Sequence, residues 1–185
     1  MTDYVFGYGS LAGELADGGA IAHLRGRRRV WGVAADNRDA IPGYKRYRLR
    51  EDGSAPEVFV AFLDLVEDPA CAVNGVVAPV APDELPILDL RERNYDRVEV
   101  SHLLDSPPGG RVFAWVGSAE GRARLEEGRR RGSAVVCLDY VEEVHAAFRA
   151  LGDEHHARFL ASSTLDGLPA ADLERIDLRD AGVAE

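Results

Sequence analysis

Short runs of β-branched and aromatic residues fill the first two thirds of this chain, and helical periodicity comes almost entirely after them. The β-like runs lie at 4–8, 29–35, 58–66, 75–80, 97–104 and 112–116, separated by turn-rich stretches at 41–44, 51–56 and 106–110. A doubly wound fold needs strands and helices to alternate, so this order points instead to an α+β architecture with a mostly antiparallel sheet or small barrel. Helical pattern is expected over 85–92, capped by Asp83 with Pro86 in the first turn, and over 119–131. Residues 138–151 follow, with Val141, Val144, Ala147, Phe148 and Leu151 at helical spacing, and then a second apolar helix over 154–161. The last twenty residues are acidic and weakly patterned, and they read as partly frayed.

The length of 185 residues fits one domain, 1–185, with a β-rich portion over 1–118 and a helical part and tail over 119–185. A formal net charge of -10 argues against nucleic acid as a partner. The arginine runs at 25–29 and 129–131 read as solvated side chains. Two distant cysteines, Cys71 and Cys137, make neither a disulfide framework nor a zinc site. No apolar run approaches the ~20 residues of a membrane span, and the segment after Met1 does not read as a secretory signal. The expectation is a cytoplasmic protein with no membrane partner.

Two segments carry chemistry. The first reads VFGYGSL over 5–11, a strand that stops at a glycine loop and leaves backbone N–H groups free to converge on an anion or a carbonyl oxygen. Gly7, Gly9 and Gly13 also have a dinucleotide-like spacing, with Asp36 as the candidate ribose ligand. That reading needs a continuous helix after the loop, and Asp17, Gly18 and Gly19 interrupt it. Asp36 then reads as a turn residue. Ser10 lacks the surroundings of a nucleophile elbow, and the neighbours His155 and His156 point in different directions on a helix.

The second segment reads LPILDLRERNYDRVE over 85–99. Helical spacing puts Glu92 on the face that Leu85 docks inward, alongside Leu88 or Asp89. A carboxylate carried to the core side has its pKa raised toward the range useful for proton transfer. The competing reading pairs Glu92 with Arg91, Arg93 or Arg97 at the surface, and spacing leaves both open.

Together these segments resemble the γ-glutamylcyclotransferase superfamily, including its AIG2-like and ChaC-like branches. Tyr8, Gly9, Ser10 and Leu11 match the family's YGS loop, Glu92 its acid/base, and the NGVV run at 74–77 a linking strand. The resemblance implies a small mixed, mainly antiparallel β-barrel with flanking helices, acting without metal or organic cofactor. It implies cyclisation of a γ-glutamyl group to 5-oxoproline by the substrate's own α-amino group. Glu92 is then the general acid/base, and Gly9, Ser10 and Leu11 supply backbone donors. Tyr8 is a wall or a hydroxyl donor, Tyr95 orients Glu92, and Tyr140 lines the pocket. The alternatives are a noncatalytic small-molecule-binding module of the same fold and a nicotinamide-dependent reductase. Neither the leaving group nor the oligomeric state is written in the sequence.

Overall fold

The computed structural model describes residues 2–41 and 44–178. Strand β1 (Asp3–Gly7) runs into a short helix α1 (Ser10–Leu15), and β2 (Ala20–Asp36), β3 (Lys45–Leu49) and β4 (Phe59–Val80) follow. Next come α2 (Leu85–Arg91), β5 (Tyr95–Glu99), a 3-10 turn (Ser101–Leu103) and β6 (Arg111–Gly117). The last third contains α3 (Ala119–Arg131), β7 (Ala134–Cys137), α4 (Leu138–Ala150), α5 (Asp153–Ala161), β8 (Ser163–Thr164), β9 (Ala170–Ala171) and β10 (Leu173–Asp177).

The architecture is α+β with a mixed sheet. Its strand order is β5-β6-β1-β4-β2-β8, with β7 added to β4 and β9 to β7, while β3 and β10 form a separate antiparallel pair. The hydrogen-bonded path ends at β5 and β8, and no pairing among the described residues joins those ends into a closed barrel. Among the described residues, no helix is long and apolar enough to cross a membrane.

The long antiparallel β2–β4 pair organises the sheet. It runs from Asp36 opposite Phe59 to Ala20 opposite Val77, broken where Arg25 faces Ala72 and Arg27 faces Glu67. At that bulge Gly26 takes a left-handed conformation with φ 71°, which a glycine adopts without a Cβ penalty. The sequence runs at 58–66 and 75–80 are therefore two halves of one bent strand, β4, rather than two strands. Gly75 lets β1 lie against it, because a Cβ there would come within 2.3 Å of the Gly7 carbonyl oxygen.

Helices α4 and α5 close one side of the core. Phe148 and Phe159 stack at 4.6 Å and are fully buried, and Val144 is buried beside them. Each such side chain contributes roughly 1.5–3 kcal/mol by leaving water. Helix α3 is bounded by local chemistry: the Ser118 hydroxyl accepts from the Gly121 N–H at 3.0 Å, and Gly132 ends the helix at φ 65°.

Four expectations are corrected. Glu84, not Asp83, precedes α2, and the helix stops at Arg91. The run at 97–104 leaves the sheet after Glu99 because Ser101, His102 and Leu103 turn into 3-10 geometry. The tail is ordered through β9 and β10, since Leu173 is 1% exposed in a core cluster with Tyr47 and Phe62. The end of that tail, 179–185, lies outside the described residues. Finally, Arg29 is not a solvated arginine: it is fully buried.

Candidate functional site

The glycine loop is a hard turn between β1 and α1. A Cβ on Gly7 would lie 2.7 Å from the Ala12 nitrogen, so the helix folds directly over the strand end. The Ala12 N–H bonds the Gly9 carbonyl at 3.0 Å. The N–H groups before it, at the start of a helix, have no partner within that helix. Helix α1 is six residues long, too short for the continuous helix that a dinucleotide site requires.

Tyr8 anchors the loop from below. Its hydroxyl donates to the Trp115 carbonyl at 2.6 Å, so Tyr8 is a wall and its hydroxyl is engaged away from the loop. The Tyr8 carbonyl in turn accepts from Arg29 Nε at 2.7 Å. Arg29 also donates to the Ser162 hydroxyl at 2.7 Å and to the Asn74 carbonyl, and its guanidinium packs against the stacked rings of Phe148 and Phe159, 4.8 and 4.9 Å from their centroids. Burial pushes its pKa down to about 9, which still leaves it protonated at neutral pH.

Glu92 is the first residue beyond α2, and its N–H bonds the Leu88 carbonyl at 2.8 Å. Leu85 is buried, Leu88 and Asp89 are half-buried, and the Glu92 side chain is 19% exposed, as the helical spacing predicts. Burial raises the Glu92 pKa, while Lys45 and Arg91 pull it back only in part. Both readings of this residue meet in the structure. Glu92 faces the pocket, and Arg91 Nε also lies 3.2 Å from its carboxylate. Arg91 is itself held by both oxygens of Glu14, at 2.6 and 2.5 Å.

Two hollows share Ser10, Glu92, Tyr95 and Tyr140. The smaller, about 40 Å³, is lined by the loop residues from Gly7 to Leu11 together with Leu63 and Trp115. The larger, about 430 Å³, extends from Glu92 to Tyr44, Lys45, Glu143 and Arg175. All the residues picked out by sequence, Tyr8, Gly9, Ser10, Leu11, Glu92, Tyr95 and Tyr140, border one or both hollows. A Cβ on Gly9 would sit 3.3 Å from Leu63 and 3.5 Å from the Tyr140 hydroxyl, so the loop approaches its opposite wall closely.

Tyr95 does not orient Glu92 through a hydrogen bond: its hydroxyl donates to the Leu63 carbonyl at 2.7 Å. Burial raises the pKa of both Tyr95 and Tyr140, so both stay neutral phenols. Tyr140 meets Phe62 edge-on at 5.1 Å.

Sequence reading missed the far wall. Lys45 and Arg175 come from β3 and β10, where Lys45 is opposite Asp177, Tyr47 opposite Arg175 and Leu49 opposite Leu173. The alternation KxYxL and LxRxD is the signal that could have revealed it.

No family model and no curated protein matches the sequence. Solved structures do. The chain is similar to YkqA from Bacillus subtilis at 14% identity and TM-score 0.58, over 92% of this chain and 56% of that one. It thus spans little more than half the length of that protein. It is similar to a γ-glutamyl cyclotransferase at 14% identity and TM-score 0.55, over 90% of this chain and 91% of the other. A third likeness, to an uncharacterized protein from Homo sapiens, has 14% identity and TM-score 0.54, over 92% and 94%. At such identities the likeness establishes the fold alone: the chain has the fold of that γ-glutamyl cyclotransferase structure.

Proposed function

We propose that the protein is a γ-glutamyl cyclotransferase that forms 5-oxoproline, with Glu92 as general acid and base. The observation that carries this reading is one recess bordered by both the glycine loop and a desolvated carboxylate.

In this reaction the substrate's α-amino nitrogen attacks its own γ-carbonyl carbon. The new C–N bond closes a five-membered ring, and the bond to the departing nitrogen breaks. Nucleophile and electrophile share one chain, so holding that chain bent removes much of the entropic barrier. Glu92 takes one proton from the α-ammonium before attack and passes it to the leaving nitrogen, and the second proton shed by the ring nitrogen follows it, so that the lactam keeps one N–H and the amine departs as an ammonium. Charge developing on the γ-oxygen is met by N–H groups of Gly9, Ser10 and Leu11. Tyr8, Tyr95 and Tyr140 wall the site, and the proposed chemistry uses protein groups alone. A cytoplasmic setting suits the two free thiols, Cys71 and Cys137.

Incubation with a panel of γ-glutamyl amino acids, peptides and amines is expected to yield 5-oxoproline. Glu92→Gln should lower the rate by about 10²–10⁴-fold, the usual contribution of a positioned acid/base. Wild-type activity surviving that substitution would sink the role of Glu92.

A second reading, a noncatalytic module that binds a small amino acid or anion, is favoured by the contact between Arg91 and Glu92. Saturable binding of γ-glutamyl compounds without any 5-oxoproline would select it.

A further inference from the structure

Most charged groups around the larger hollow already have partners. Arg91 is held by Glu14, Arg175 donates to Asp177 at 2.8 Å, and Asp139 accepts from Arg50 at 2.5 Å. Lys45 differs from them. Its Nζ stands 3.9 Å above the Phe62 ring, and no carboxylate among the described residues lies within 4.0 Å of it. Asp177 is opposite Lys45 across the β3–β10 pair but is engaged by Arg175. Glu92 and Glu143 act on Lys45 only through space, with Arg175 and Arg91 opposing them. Burial pushes its pKa down to about 8. A desolvated ammonium packed on an aromatic face gains more from a bound anion than a hydrated one does.

The position of Lys45 says which anion. The scissile amide must lie where Glu92 reaches both nitrogens, at the junction of the two hollows. Lys45 lines the larger hollow and not the recess under the loop, so it lies on the leaving-group side. We propose that Lys45 binds the carboxylate of the departing amino acid or peptide, which makes γ-glutamyl amino acids and peptides the substrates in preference to γ-glutamylamines. This inference rests on the cyclotransferase reading and assigns its substrate class.

The test compares γ-glutamyl-alanine with γ-glutamyl-ethylamide, which differ only by that carboxylate. A charge-assisted hydrogen bond predicts that wild-type kcat/KM favours the alanine compound by about 10- to 100-fold. Lys45→Met should erase that preference, read as the ratio of kcat/KM between the two compounds so that its effect on Glu92 acts equally on both, and Lys45→Arg should restore part of it. The wild-type preference needs no variant to fold, and its absence overturns the proposal. So does an equal loss on both substrates in Lys45→Met, which would place its effect on the glutamyl half or on Glu92 while the cyclotransferase reading stands. Failure of the folded wild-type protein to form 5-oxoproline from either compound overturns the reading beneath it, and the proposal with it.

Discussion

Glu92 occupies a position where burial and charge oppose each other. Desolvation raises its pKa above the ordinary value of 4.5, and the cations Lys45 and Arg91 offset only part of that rise. The folded protein therefore holds this proton more tightly than the unfolded chain does. That contribution to stability is present below the unfolded pKa and is lost as pH rises through the raised folded value. Replacing the carboxylate by an amide removes the penalty at neutral pH. Glu92→Gln is expected to gain stability relative to wild type between pH 4 and pH 7, as read by thermal melts at both. A difference that stays constant with pH, or grows against the variant, would contradict the raised pKa. The helical spacing of 85–92 left Glu92 either facing inward or paired with an arginine at the surface, and its place at the pocket together with its contact to Arg91 depends on tertiary structure, where Glu14 of α1 holds that arginine.

Between elements, Arg29 is the connection that fixes the loop. It belongs to β2 and reaches Tyr8 after β1, Asn74 in β4 and Ser162 after α5. Arg29→Ala leaves these buried acceptors unsatisfied and opens a cavity beside the stacked Phe148 and Phe159. A loss of roughly 3 kcal/mol or more is expected in urea unfolding. Arg29→Lys should recover only part, because an ammonium cannot reproduce the planar fork of donors. A loss under 1 kcal/mol for Arg29→Ala would show that the connection is dispensable. The sequence presents 25–29 as one basic run, and strand alternation alone does not pick out its inward member. Ala22 and Leu24 face the main core before the bulge at Gly26, while Arg29 and Trp31 do so after it. The bulge switches the parity, and it depends on pairing with β4, far along the chain.

Across the whole molecule, the pocket is completed by the tail. Strand β10 returns to pair with β3 and supplies Arg175 to the wall that holds Lys45. Leu173 pins this pair into the core with Tyr47 and Phe62. Leu173→Ala should cost about 2–5 kcal/mol and raise KM for γ-glutamyl-alanine more than it lowers kcat, since it loosens the binding wall and leaves Glu92 in place. An unchanged KM in a destabilised variant would separate the tail from the site. Strand-first order, four of the five described α-helices, over 85–91, 119–131, 138–150 and 153–161, and the glycine loop were determined by local pattern, because periodicity and turn chemistry act over a few residues. The bend of β4, the burial of Arg29 and the Lys45 wall were decided by tertiary structure alone. Each needs partners distant in sequence: the alternation of β3 and β10 is present in either strand alone, but which strands pair, and in what register, is set only where they meet.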